Sequence, residues 1–313
     1  MYGGRYMKKL DVSWDRGVYD RTGYLFSFAK SLGLAVKCSP YAEFAEDIIA
    51  TSGFAFRMWA AEDLCPSATS IWDFDGQKPW VENGGLQCGY VGRYWNMDQV
   101  EEEKRLAALE IIKESIDRGI PAVAWDLGVP EWGAVIGYDD DWQKLTVLSV
   151  TGREEEMSYD QLGKGEIPIL SVLTVKGRST KSPEHILKDT LRLAAFHLNG
   201  MEWCSNASGL SAYPVIVKNL RESFNPERSW NIEYYLGTYG GLKYFAHRYF
   251  AKMNLMELAR LYENVYLLWQ QAFDLKQKED LNNVKVRSKI AELLEDAYEN
   301  ERKALEVISG LTS

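Results

Sequence analysis

Two kinds of hydrophobic periodicity divide the chain. From residue 182 onward, apolar residues recur every three or four positions through 182-SPEHILKDTLRLAAFHLNG-200, and then near 231–252, 254–274 and 281–309. That spacing predicts amphipathic helices. Ser182 suits the N-cap of the first, Pro183 its first turn and Gly200 its end. The stretch 207-ASGLSAYPVIVKNLRESF-224 reads as helical after its proline. These helices are expected to pack as a bundle. The aromatic-rich run 243–273 supplies its core or a self-association face, so a homodimer through the helical part is expected.

Ahead of the polar stretch 177-GRSTKSPE-184 the pattern is mixed. In 20-DRTGYLFSFAKSLGL-34 the stripe Leu25, Phe28, Ala29 and Leu32 predicts a helix entered from Asp20 or Thr22 and closed at Gly33. A second helical stretch covers 40–53, and 54-FAFRMWA-60 reads as a buried strand. The clearest helix is 98-DQVEEEKRLAALEIIKESIDRGIP-121, capped by Asp98 and acidic in its first turns. Strands follow at about 122–126, 132–138, 144–150 and 168–175, with Asp139–Asp141 as a turn and a short helix after Ser158. Early helices and late antiparallel strands predict an α+β domain over 1–176, followed by an all-α domain over 177–313.

Composition narrows the function. Hydrophobic residues make up 46% of the 313 residues, enough for a real core, and the net charge of −9 disfavours a nucleic-acid partner. No run of about 18 apolar residues and no signal-peptide pattern occurs, so neither a membrane partner nor secretion is expected and the default compartment is the cytoplasm. Cys38, Cys65, Cys88 and Cys204 never fall in a CxxC pair, so no structural zinc is expected. The glycine-rich pieces 83-NGGLQCGYVGR-93 and 237-GTYGGLKY-244 lack a Walker or dinucleotide pattern, and no cofactor is implied.

Three segments carry a family resemblance: 52-SGFAFRMW-59 after two helices, 118-RGIPAVAWD-126, and 133-GAVIGYDDD-141. In this order they resemble the papain-like fold of double-glycine leader peptidases. The resemblance is closer to the N-terminal domain of the butirosin-biosynthesis protein H family, which is linked to acyl transfer in natural-product biosynthesis. It covers roughly residues 10–176. It implies a papain-like cysteine-hydrolase fold with a thiolate at the head of the first helix, a histidine from the barrel and an acid or amide to orient it. Here the nucleophile region, Arg21–Tyr24, has no cysteine, and Glu131-Trp132 stands where the histidine belongs. Val150-Thr151-Gly152 stands where the orienting acid belongs. All three histidines, His185, His197 and His247, lie in the helical part.

The expectation is therefore a catalytically degenerate member that binds a peptide or small metabolite in the former cleft. Arg57, Trp125, Asp126, Glu131 and Trp132 are the candidate ligand contacts. Arg57 interrupts an apolar run, where a cation needs a partner, and Asp126 or Glu131 could supply it. Asp126 and Glu131 beside two tryptophans also form the residue set of a glycosidase. The enzyme alternative is an acyltransferase or peptidase with another nucleophile, either Thr22 or Cys38 paired with His197 or His247. A third class is a dimeric scaffold.

Overall fold

A computed structural model describes residues 7–14, 21–70, 72–203 and 205–312. It is a mixed α/β protein with a C-terminal helical region. The strands in chain order are β1 (Met7–Lys9), β2 (Trp59–Ala60), β3 (Leu86–Arg93), β4 (Ala122–Trp125) and β5 (Trp132–Asp139), then β6 (Lys144–Leu148), β7 (Glu154–Ser158), β8 (Leu170–Arg178) and β9 (Ala207–Ser208).

The chain divides into two compact units. The first holds the described parts of Met1–Asp15, Ser27–Ala45 and Phe74–Thr180; the second holds those of Arg16–Phe26, Glu46–Asp73 and Lys181–Ser313. One crossing, Thr180 to Lys181, lies inside the polar stretch noted above, but earlier segments are interleaved. The reason is local hydrophobicity. Phe56 packs edge-on to Tyr262 at 5.5 Å and against Phe250 at 5.6 Å, so 46–73 belongs with the helices of the second unit.

In the first unit a seven-stranded sheet has the order β3-β8-β4-β5-β6-β7, with β1 antiparallel to β5. Alternation along β5 assigns its two faces. Val135 meets Ala108, Ile112 and Ile116 of the helix Glu101–Asp117 in one core, together with Ala122, Ala124, Val147 and Val172. Ala134 and Ile136 point the other way and pack with Leu34 of the helix Ser27–Lys37 and with Leu148. Gly137 sits where β1 crosses, and a Cβ there would come within 2.8 Å of the Lys8 carbonyl. Only glycine fits that approach.

The second unit is a bundle of Pro183–Leu198, Ala212–Arg221, Ser229–Lys252, Met256–Lys278 and Val284–Thr312, with the ribbon β2–β9 beside it. The helix Ser229–Lys252 is buried on most sides, from Tyr235 to Phe250. No helix of the described residues is long and apolar enough to cross a membrane.

Three local expectations change, and one stretch given no element from the sequence becomes a strand. The run 54–60 is a 3-10 turn, Phe54–Phe56, followed by the two-residue β2. Gly53 at φ +83° turns the chain, and a short apolar run cannot by periodicity alone distinguish a strand from a turn. The region 40–53 contains a 3-10 turn, Ala42–Phe44, and a single helical turn, Ile48–Thr51. The glycine-rich stretch 83–93 forms strand β3. The first helix begins at Ser27, not at Asp20 or Thr22, and runs to Lys37.

Candidate functional site

Ser27 opens an 11-residue helix whose residues are buried from Ser27 through Val36. Its hydroxyl donates to the Glu131 carboxylate in a short contact, and the Trp132 backbone N–H donates to Ser27 Oγ at 3.3 Å. Farther along the helix, Ser31 Oγ returns a bond to the Ser27 carbonyl at 2.8 Å. Glu131 is held in place by the tight turn between β4 and β5. The Asp126 N–H donates to the Glu131 carbonyl at 3.0 Å, and the Trp125↔Trp132 register closes the ladder behind it. A carboxylate thus stands at the positive end of the helix, where its charge is favourable.

The tryptophans form the wall behind this pair. Trp132 is fully buried, T-shaped against Phe28 at 4.9 Å and Phe74 at 4.9 Å, and 5.3 Å from the Trp125 ring. Trp125 is 5% exposed, so both rings pack as core and neither is a surface platform.

Asp126 takes a different direction. Its backbone is left-handed at φ 60°, and a Cβ on Gly165 would lie 1.7 Å from its Oδ2. Burial raises its pKa, against the lowering effect of backbone N–H groups at Ile167 and Glu166. Asp126 and Glu131 therefore serve separate contacts, the loop at 165–167 and the helix head.

Arg57 lies in the second unit. Its Nε bonds Glu202 Oε2 at 2.9 Å, its Nη1 bonds the Thr69 carbonyl at 2.9 Å, and its guanidinium stacks on Trp59 at 4.2 Å and Trp72 at 5.0 Å. Glu202 Oε1 meets His197 Nδ1 at 2.6 Å. A carboxylate only accepts, so Nδ1 carries the proton. Burial holds His197 below the ordinary imidazole range despite Glu202. Burial pushes Glu202 upward, but Arg57 and His197 together outweigh it and leave the carboxyl below its usual value. The carboxylate that pairs with Arg57 is thus Glu202, which the sequence reading did not name.

No protein-family model and no curated protein matches this chain.

The remaining candidate nucleophiles have other surroundings. Thr22 Oγ1 donates to the Gly237 carbonyl at 2.8 Å and accepts from the Tyr24 N–H at 3.2 Å. Cys38 follows the far end of the helix that Ser27 opens and packs against the Leu34–Ile136 cluster. Burial raises its thiol pKa, opposed by Lys37. Burial takes the Cys88 thiol up to about 12. Cys204 lies outside the described residues. His247 Nδ1 is 3.0 Å from the Ala259 carbonyl, and His185 closes the Ser182 cap of its helix. Asp139 caps its own turn by accepting from the Asp141 and Trp142 N–H groups, while Asp140 bonds Lys113 and Tyr159.

Sequence reasoning missed Ser27 and Glu202. Each is the single polar residue in an apolar run, 24-YLFSFA-29 and 201-MEW-203, and that isolation was the available signal.

Proposed function

We propose that this protein is a catalytically degenerate member of the papain-like cysteine-hydrolase fold, related to natural-product acyl-transfer proteins. It binds a peptide or small metabolite at the helix head where such enzymes hold their thiolate and imidazole. The observation that carries this reading is the Ser27–Glu131 hydrogen bond at the start of the helix Ser27–Lys37. A hydroxyl and a carboxylate there replace a thiol and an imidazole. A carboxylate is too weak a base to ionise an alcohol at neutral pH, so the pair holds geometry without creating a nucleophile. What it offers is an acceptor carboxylate at a helix N-terminus, suited to the ammonium or amide N–H of a ligand. Cys38, at the opposite end of that helix with its pKa raised, gives no support to the enzyme alternative.

The test is a thermal-shift screen of aminated metabolites and short peptides on the native protein and on Glu131→Gln. Gln keeps the shape and loses the charge. A ligand that stabilises the native protein and loses its effect in Glu131→Gln supports the reading. Equal shifts in both proteins would remove Glu131 from the site.

A further inference from the structure

The core of the helical unit contains polar groups that the helix-head site does not use. Lys243 of the helix Ser229–Lys252 and Glu301 of the helix Val284–Thr312 are both fully buried, with Nζ 2.6 Å from Oε1. Tyr213, from the helix Ala212–Arg221, donates to Glu301 Oε2 at 2.8 Å and itself accepts from Trp269 Nε1 at 2.8 Å. Trp269 belongs to the helix Met256–Lys278, and so does Tyr262, which is fully buried and whose hydroxyl faces the same carboxylate. Four helices thus meet at one acid, a buried polar hub.

The hydrogen bonds of this hub do not balance. The Tyr262 hydroxyl has no hydrogen-bond partner among the described residues. Burial and the Glu301 charge hold its pKa well above the usual phenol range, so it keeps its proton and is a donor at neutral pH. An ammonium carries three N–H donors, and Lys243 engages one of them, on Glu301. Among the described residues its other N–H groups meet no acceptor. Glu301 has acceptor capacity to spare, because a carboxylate offers about four lone-pair positions and each of its oxygens takes one hydrogen bond here. Buried polar groups are normally paired, and a buried ion pair is stable only when its remaining donors and lone pairs are met.

We infer that the hub holds at least one internal water molecule, which accepts from Lys243 Nζ and from the Tyr262 hydroxyl and donates to Glu301. Three features select water. Lys243 and Glu301 cancel one another's charge, so an added ion of either sign would leave a net charge in the core. The unmet groups are donors on one side and lone pairs on the other, so the guest has to accept and donate at once. Internal waters characteristically make about three hydrogen bonds to otherwise unpaired groups, the number assigned here. Water and carboxylate together fix the register of the helices that meet at Glu301. The site lies wholly within the helical unit and does not depend on the helix-head reading.

The test is a crystal structure of the full chain at a resolution that shows ordered water, with Tyr262→Phe as its counterpart in solution. A density peak is expected within hydrogen-bond distance, about 2.7–3.2 Å, of both Lys243 Nζ and Tyr262 Oη. Tyr262→Phe keeps the ring and removes only the hydroxyl. In the hydrated hub that hydroxyl has a partner, so the variant is expected to unfold at a lower urea concentration than the native protein. Loss of a hydroxyl without a partner would leave the midpoint unchanged or raise it, and either result overturns the proposal. So does a structure with no water between Lys243 and Tyr262, whether the hydroxyl bonds Glu301 directly or nothing at all.

Discussion

Replacing Glu202 by leucine is expected to be among the most damaging single changes in the helical unit. The carboxylate is 6% exposed and its partner Arg57 is 3% exposed, with Nε and Oε2 2.9 Å apart. Removing it takes the carboxylate away from a buried guanidinium that also bonds the Thr69 carbonyl and lies against two tryptophan faces. It also takes the acceptor from His197 Nδ1. Breaking one side of such a pair costs about 3–5 kcal/mol, because an uncompensated charge remains buried. With a urea slope of about 2 kcal/mol per molar, that is a fall in midpoint of about 2 M for the transition of this unit. Arg57→Met should cost a similar amount. The double variant Arg57→Met with Glu202→Leu should cost less than the two single changes added together, since no lone charge is left. Urea titrations followed by circular dichroism measure all three. Single variants within about 1 kcal/mol of the native protein, or a double variant equal to the sum, would refute the reasoning.

Other expectations follow from the same geometry. Lys243 and Glu301 are both fully buried and 2.6 Å apart, with Tyr213 donating to Glu301 at 2.8 Å, so Glu301→Leu should also cost about 3–5 kcal/mol by urea titration. Gly53→Ala should destabilise by about 1–3 kcal/mol in the same assay, because φ is +83° and the new methyl would lie 2.7 Å from His197 Nε2. Stability should fall as pH drops below about 6.5. The folded pKa of His197 lies below its unfolded value of 6.5, so the unfolded state binds the extra proton through that window. Glu202 is depressed below 4.5, so its contribution is lost as pH falls further. Each group changes the slope by at most about 1.4 kcal/mol per pH unit, and His197→Gln should flatten the upper part of the profile, read by thermal melts.

The helices after residue 182 were legible because their apolar stripes face a bundle core at helical spacing; Ser182 caps the first of them by accepting from the His185 N–H. Strands β4, β5, β6 and β8 were legible for the corresponding reason, alternation or a continuous apolar run between turns. Segment 46–73 was not legible as part of the helical unit. Phe56 and Trp59 are simply apolar in sequence, and their partners on the long helices lie about 180 residues or more away: Phe250 and Tyr262 for the Phe56 ring, and the Tyr239 hydroxyl that donates to the Trp59 carbonyl. At the helix head, Glu131 was named because it occupies the slot of an expected histidine, but Ser27 was hidden by an early helix start. Gly23 at φ +81° keeps residues 21–26 out of the helix, so the cap lies several residues later than the polar Asp20 and Thr22 imply. Arg57 was recognised as a cation in need of a partner. Which acid supplies it is a matter of tertiary structure, and Glu202 lies 145 residues away.

Chemical labelling of the native protein tests whether the helix head holds geometry without a nucleophile. Iodoacetamide between pH 5 and 8 and a fluorophosphonate at pH 7.5 would be followed by intact mass and peptide mapping. Cys38 should label slowly, Cys88, whose thiol is raised to about 12, not at all, and Ser27 should form no fluorophosphonate adduct. A stoichiometric adduct on Ser27, or one cysteine alkylated rapidly at pH 5, would contradict that reading and restore an active enzyme.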